Sequence, residues 1–548
     1  MRDVQSFAGW MGWRARRTGR SGGAGDELGQ RGHGGLEGAG EAPPKVRAGR
    51  RRRTLTVLPL VALIFYEVSG GPFGIEESVN LAGALPAILG LLILPCVWSI
   101  PEALITAELA TMFPEDSGYV AWVSAAFGPF WGFQEGFLSW VSGVADNSIY
   151  PLILAGNLEV FMPILTHVWA TRAFCIVVSV MLTYLNWRGL QVVGSTTVFL
   201  TCFMLAPFVV LTIIGIPKIH ASNWLDYKPG HLEKNFWDFM NVMFWNLNYW
   251  DSVSTLAGEV KDPGTSFPRA LSMGVVAVVL GYLVPVLVGV GVMGQENWPD
   301  GFFPILGQEV AGDWLKAWIV LAAAASQIGL FEAEMSSDSY QVLGMAERGM
   351  LPKRLGVRSR HGTPTIGILL SSSGIAILCF TLHFQSVVDL LNYAYCLAEL
   401  LEFAAFIYLR VKAPDMPRSY RIPLSTTGVC IMLFPATVLL LYLIVYPWMQ
   451  LNYVVIGFCV GILLSGSILW ALLECARKRG WFEFAKLEAQ HNSDADSVDE
   501  EEDEHEGLLH SGTDQSEYKA LDGVDPLVRA QLFGELENTE NVLLEPFL

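Results

Sequence analysis

From Thr54 onward, apolar stretches recur at close to the 20 residues an α-helix needs to cross a hydrocarbon core about 30 Å thick. The pattern predicts spans at 57–83, 85–112, 128–160, 169–187, 192–217, 236–260, 270–294, 311–346, 364–382, 386–410, 425–447 and 450–475. Several exceed 25 residues, which implies tilt or extension into the interface. Basic residues set the expected orientation, because cytosolic loops collect Lys and Arg. Arg47 and Arg50 to Arg53 precede the first span. Lys261 with Arg269, a group from Arg348 to Arg360, another from Arg410 to Arg421, and Arg477 to Arg479 fall in alternate loops, while the other loops hold only Arg172, Lys218, Lys228, Lys234 and Lys316. The expectation is an all-α integral membrane protein with about twelve transmembrane helices and both termini in the cytosol.

Two spans break the apolar pattern. In the first, Val68-Ser69-Gly70-Gly71-Pro72-Phe73-Gly74 places three glycines and a proline where a regular helix would have to continue. Non-helical backbone at membrane depth is tolerated only where protein or a wet cavity satisfies it. A proline kink at a tight helix contact is the simpler reading; an unwound substrate site is the functional one. The sixth span has a matching feature, Phe244-Trp245-Asn246-Leu247-Asn248-Tyr249-Trp250-Asp251-Ser252, and closes with Gly258 to Gly264. Interrupted segments five helices apart point to an inverted 5+5 repeat with its site at the two breaks.

Composition agrees with a membrane protein. The 548 residues are 52% hydrophobic and only 16% charged, with a mean hydropathy of +0.40. The net charge of −18 belongs mostly to one end, since 483–548 carries about 19 acidic residues against Lys486, Lys519 and Arg529. Residues 1–53 read as a disordered basic cytosolic arm, 54–480 as the transporter domain, and 481–548 as an acidic disordered cytosolic tail. Within the tail, Glu504, Leu508 and Leu509 match an acidic dileucine sorting signal, a contact point for a sorting adaptor. The eight cysteines lie in or beside apolar segments and form no C-x-x-C pair, so neither disulfides nor a metal site is expected. No phosphate loop or Ser/His/Asp set points to an enzyme, and no nucleic-acid partner is expected.

The longest motifs carry a family resemblance. Glu108-Leu109-Ala110, Phe113-Pro114-Glu115-Asp116-Ser117-Gly118-Tyr119 and Gly128-Pro129-Phe130-Trp131-Gly132-Phe133 resemble the signature of the amino acid–polyamine–organocation (APC) superfamily. VSGGPFGIEESV (68–79), WSIPEALITAEL (98–109), MFWNLNYWDSVSTLAGEV (243–260) and GLFEAEMSSDSYQVLGMAERGMLP (329–352) resemble the plant-type polyamine uptake transporters. The resemblance covers about 55–475. It implies a leucine-transporter-like fold and proton-coupled polyamine uptake, with the proton gradient as the coupling source and no cofactor.

Acids at membrane depth carry the functional argument. Glu67, Glu76, Glu77, Glu102, Asp146, Asp251, Glu332, Glu334, Glu399 and Glu402 all fall within predicted spans, with almost no basic partners. Each would cost about 2.5–3.5 kcal/mol or more if it faced lipid at mid-depth, so the missing charge is expected from a small organic cation or a proton. Asp251 is the leading candidate, as a ligand or as a cap of the second half-helix; its spacing to Lys261 matches an acidic position in related cation transporters. Trp245 matches a gating aromatic in the same relatives, and with Tyr249 it offers cation–π attraction or plain packing. Asp146 and Tyr150 sit one turn apart on the third span, Glu76 and Glu77 lie about 100° apart so that one faces the chamber, and Glu67, Gly70, Gly71 and Glu399 complete the expected substrate site. Glu334 and Asp338, one turn apart, are proton-path or gate candidates. Glu108 reads as part of a charge network at the membrane surface.

Amino-acid carriers of this superfamily hold an α-carboxylate on free N–H groups of the first break. Here Pro72 removes one donor and Glu67, Glu76 and Glu77 surround the turn. The reading is therefore a proton symporter for putrescine-, spermidine- or spermine-like polyamines in the plasma membrane, with an endomembrane as the alternative location. A cationic or neutral amino-acid carrier and a non-transporting nutrient receptor are the alternative functions.

Overall fold

In the computed structural model the described residues are 53–485, apart from 160, 228–230, 297, 299–300, 382–383 and 452. All of the expected basic arm but Arg53, almost all of the acidic tail and the Glu504-Leu508-Leu509 motif lie outside them. The described chain is almost entirely helical, and helices account for every apolar stretch.

The first stretch is broken into α1 (Val57–Val68) and α2 (Glu76–Ala82). The second runs from α3 (Ala84–Leu94) through a π turn at Pro95–Ser99 into α4 (Ile100–Met112). A short α5 (Tyr119–Phe127) leads to α6 (Pro129–Asn147) and α7 (Tyr150–Leu158), followed by α8 (Val168–Trp187) and α9 (Leu190–Gly215). The sixth stretch is α10 (His231–Trp245), a turn, and a 3₁₀ helix at Ser252–Glu259. Then come α11 (Pro263–Met293), α12 (Phe302–Ala311), α13 (Asp313–Glu347), α14 (Thr365–Thr381), α15 (Phe384–Lys412), α16 (Thr426–Met449) and α17 (Tyr453–Lys478).

Seven of these helical runs are long and apolar enough to cross a membrane by length and composition, and two shorter apolar helices, Val57–Val68 and Thr365–Cys379, accompany them. The remaining predicted spans fall short because they are broken or carry the buried acids. Lipid supplies no hydrogen bonds, so a bundle that hides ten acids inside must concentrate them on a few interior helices. The long α13 carries three of the buried acids, Glu332, Glu334 and Asp338. It is buried over nearly its whole length and packs against α9, α7, α12 and α6.

One face of the bundle is closed by polar contacts. Thr54 and Leu55 N–H donate to the Glu259 carbonyl, both at 3.0 Å, and Lys261 N–H donates to Leu55 at 2.9 Å, which ties the start of the first span to the end of the sixth. The α4–α5 turn packs beneath. Gly118 there has φ +46, and a Cβ on it would lie 2.9 Å from the Thr255 nitrogen, so only glycine permits this approach. Lys353 N–H donates to Glu483 at 2.8 Å, so the described chain starts and ends at this same face.

Candidate substrate cavity and buried acids

The two breaks adjoin. After Val68 the chain leaves the helix with Gly70 at φ +59, Gly71 at φ +103 and Gly74 at φ +92, values that disfavour any residue with a Cβ. Asn246, the first residue after α10, donates from Nδ2 to the Gly74 carbonyl at 3.5 Å. Tyr282 Oη on α11 donates to the Ser69 carbonyl at 3.2 Å, and Ser326 on α13 donates to the Gly70 carbonyl. The carbonyls freed by unwinding thus find donors inside the protein, as the absence of water in a bilayer demands.

Between the breaks lies a cavity of about 260 Å³. Its charged lining residues are Glu67, Glu76 and Asp146, and no Lys, Arg or His joins them among the described residues. Trp245, Tyr150, Tyr249 and Phe73 supply aromatic walls, and Ser326, Gln327 and Asn246 add polar atoms. The cavity reaches the exposed Gly301, in the loop before α12, and so extends away from the closed face.

Each carboxyl is held in place. Tyr150 Oη donates to Asp146 Oδ2 at 2.6 Å and Trp245 Nε1 to Asp146 Oδ1 at 3.3 Å. Glu76 Oε2 accepts from Gly74 N–H at 2.6 Å, so a carboxylate of the chain itself occupies a donor that the unwound backbone would otherwise offer to an anion. Glu67 Oε1 accepts from Ser337, and the Glu334 carboxyl lies beside that of Glu67. Asp338 lies one turn further on the same α13 face. A Cβ on Gly143 would come within 2.6 Å of Glu334 Oε1 and closer still to Asp338, so this glycine lets α6 approach the pair.

The structure therefore brings together Glu67, Glu76, Asp146, Tyr150, Trp245 and Tyr249, with Glu334 and Asp338 behind Glu67. It does not bring the other expected residues to the cavity lining. Glu77 turns aside to Asn80, whose Nδ2 is 3.3 Å from its Oε2, the outcome of the 100° helical step from Glu76. Gly70 and Gly71 shape the break, but Leu330 and Met204 fill the space beside them. Asp251 and Glu399 lie behind the Tyr249–Tyr395 ring pair, whose centroids are 4.4 Å apart, in a separate cluster with Glu102, Glu135 and Glu402. Nor does the Asp251 carboxyl cap the following 3₁₀ helix. Only its backbone carbonyl does, accepting from Ser254 N–H at 2.8 Å, while the carboxyl accepts from Tyr395 Oη at 2.6 Å.

Sequence reasoning overlooked Glu135, although an acid in the middle of an apolar stretch was the available signal; it also overlooked Tyr282, Ser326 and Gln327, which look like ordinary polar residues of a span until packing aims them at the break. Glu108 does hold a charge network, with Arg410 Nη2 at 2.5 Å and Arg418 Nη1 at 2.7 Å. No ion pair reaches Glu67, Glu102, Glu135, Asp146, Asp251, Glu332, Glu334, Asp338, Glu399 or Glu402 among the described residues.

A multi-span bundle with an acidic chamber between two broken helices defines a membrane transporter. The amino acid permease family model matches residues 55–465, and the chain belongs to that family, within the amino acid–polyamine–organocation superfamily. It is 48% identical to an Arabidopsis thaliana protein named as a probable polyamine transporter, over 82% of this chain and 94% of that one. It is also 48% identical to the polyamine transporter PUT1 of Oryza sativa subsp. japonica, over 79% of this chain and 81% of the relative, and 48% identical to the polyamine transporter RMV1 of Arabidopsis thaliana, over 79% and 88%.

Proposed function

We propose that this chain is a proton-coupled symporter for polyamines of the putrescine, spermidine and spermine class. The carrying observation is the charge of the cavity: Glu67, Glu76 and Asp146 surround it with no basic residue in its described lining. A polyamine supplies spaced ammonium groups, each able to meet a separate carboxylate, and the Trp245, Tyr150 and Tyr249 rings favour a cation by about 0.5–2 kcal/mol each. The names of the relatives at 48% identity support the same substrate class.

The break also argues against a zwitterion. Gly70 N–H donates to Phe65 O at 3.1 Å, Gly71 N–H to Ser69 Oγ at 3.3 Å and Gly74 N–H to Glu76, and Pro72 has none. An amino acid's carboxylate would have to displace these bonds and approach Glu76 against like charge.

In this reading the Arg358 face lies in the cytosol of a plasma-membrane protein and the cavity is reached from outside. Arg358 there joins Asp116 at 2.6 Å, Glu259 at 2.7 Å and Glu347 at 3.7 Å, and parting these contacts would open the cavity inward as one bundle rocks on the other. The test is uptake of labelled spermidine into proteoliposomes under an imposed pH gradient, with arginine and putrescine as competitors. Accumulation that rises with the gradient and resists arginine supports the reading. Uptake indifferent to the gradient removes the coupling, and arginine displacing spermidine at equal concentration removes the substrate assignment.

A further inference from the structure

Five carboxyls that the cavity does not use form a second buried cluster. Glu102 on α4, Glu135 on α6, Asp251 in the second break, and Glu399 and Glu402 on α15 are each at most 1% exposed. Glu102, Asp251 and Glu399 each place one carboxylate oxygen within 4.8 Å of the other two. The Glu402 carboxyl contacts those of Asp251 and Glu135. The other titratable groups facing the cluster are Tyr395 and Cys396 on α15, Tyr119 on α5, Tyr249 in the second break and the cavity's own Glu67, which lies within electrostatic reach of Asp251, with Asp338 of α13 beyond Tyr119. No cation from any of these elements enters it among the described residues.

Counting donors shows that protons are already required. Tyr395 Oη lies 2.6 Å from both Glu102 Oε1 and Asp251 Oδ1, yet a phenol has one proton. One of the two carboxyls must therefore donate a proton of its own. Among the described residues, neither oxygen of the wholly buried Glu399 nor of Glu402 accepts a well-formed hydrogen bond, and the Tyr395 hydroxyl that approaches Glu399 is already engaged with Glu102 and Asp251. Left ionised, such oxygens would each forfeit about 1–3 kcal/mol or more.

A short chain of contacts links this cluster to the cavity. Tyr249 lines the cavity, and its Oη pairs with Ser142 Oγ at 2.7 Å. Its backbone N–H donates to Tyr395 Oη at 2.9 Å, and its φ of +67 is costly for a tyrosine, by about 1–2 kcal/mol. A ligand pressing on the Tyr249 ring therefore acts on the one hydroxyl that bridges Glu102 and Asp251.

We propose that the Glu102–Glu135–Asp251–Glu399–Glu402 cluster is a proton-binding site separate from the substrate cavity, and that Tyr249 and Tyr395 couple the two. The inference rests on the proton-coupled reading above. The step makes and breaks only O–H bonds: one proton taken from the outer side onto the cluster with substrate bound, and the same proton released to the cytosolic side after the cavity turns inward.

The test compares wild type with Glu402→Gln and Glu135→Gln in the full-length protein, reading spermidine binding, spermidine counterflow without a gradient, and accumulation driven by a pH difference of about 1. One proton per substrate allows about tenfold accumulation in wild type. Both variants are expected to bind spermidine within about twofold of wild type and to keep counterflow, while driven accumulation falls to about equilibration. Driven accumulation that survives in both variants, or binding lost in both, overturns the inference. Wild type that fails to accumulate under the gradient instead refutes the coupled-transport reading on which it stands, and the inference with it.

Discussion

Asp146 is the residue on which the cavity's chemistry turns. Its two oxygens accept from Tyr150 and Trp245, which orients the carboxylate toward the chamber without neutralising it. Asp146→Asn keeps the shape and removes the charge. It is expected to weaken spermidine binding by about 2 kcal/mol, roughly thirtyfold in Kd, by scintillation proximity or calorimetry. Tyr150→Phe removes one orienting bond and should cost about 1 kcal/mol, roughly fivefold, in the same measurement. Asp251 shows the limit of reading residues singly. Its place in the sixth-span motif made it the leading ligand, but a turn of backbone at Tyr249 sends its carboxyl behind the tyrosine pair and away from the cavity. A single sequence places an acid on a segment; it does not say on which side of a neighbouring ring the acid ends.

Among elements, the breaks were legible and their packing was not. Glycine and proline in 68–74, and Asn, Tyr and Asp in 244–252, are incompatible with continuous helix, so both interruptions follow from local chemistry. What closes beneath them came from tertiary contact. Gly118 has φ +46 and ψ −127, a conformation open to glycine alone, and it touches the backbone of the 3₁₀ segment. Gly118→Ala is expected to destabilise the folded bundle by about 2 kcal/mol or more, seen as a lower Tm in detergent, because a strained backbone and an overpacked contact add. Gly71→Ala at φ +103 would drive a Cβ to 2.5 Å from Met204 Sδ. The Met side chain can yield there, so a smaller loss of stability is expected, accompanied by weaker substrate binding because the break itself moves.

For the whole molecule, the closed face depends on a few charges. The Asp116 side chain is fully buried and the Arg358 side chain 20% exposed. Arg358→Ala removes the cation that joins Asp116, Glu259 and Glu347. The expected cost is about 3 kcal/mol, at the low end for breaking a buried pair because Arg358 keeps some water, and it should appear as reduced thermal stability and greater labelling of cysteines placed below Glu67. The family match ends at residue 465, so a chain lacking 486–548 should retain spermidine uptake, and its loss would favour the receptor reading.

The sequence alone determined that the chain is an α-helical membrane protein with two interrupted spans and far more interior acid than base, because hydropathy, helix-breaking residues and the cost of charge in lipid are properties of local composition. Only the tertiary structure decided how those acids divide into a cavity lined by Glu67, Glu76 and Asp146 and a second cluster around Asp251. That partition depends on which helix faces meet and on where Tyr249 and Tyr395 stack, and contacts between residues about 150 positions apart leave no periodic trace in the chain.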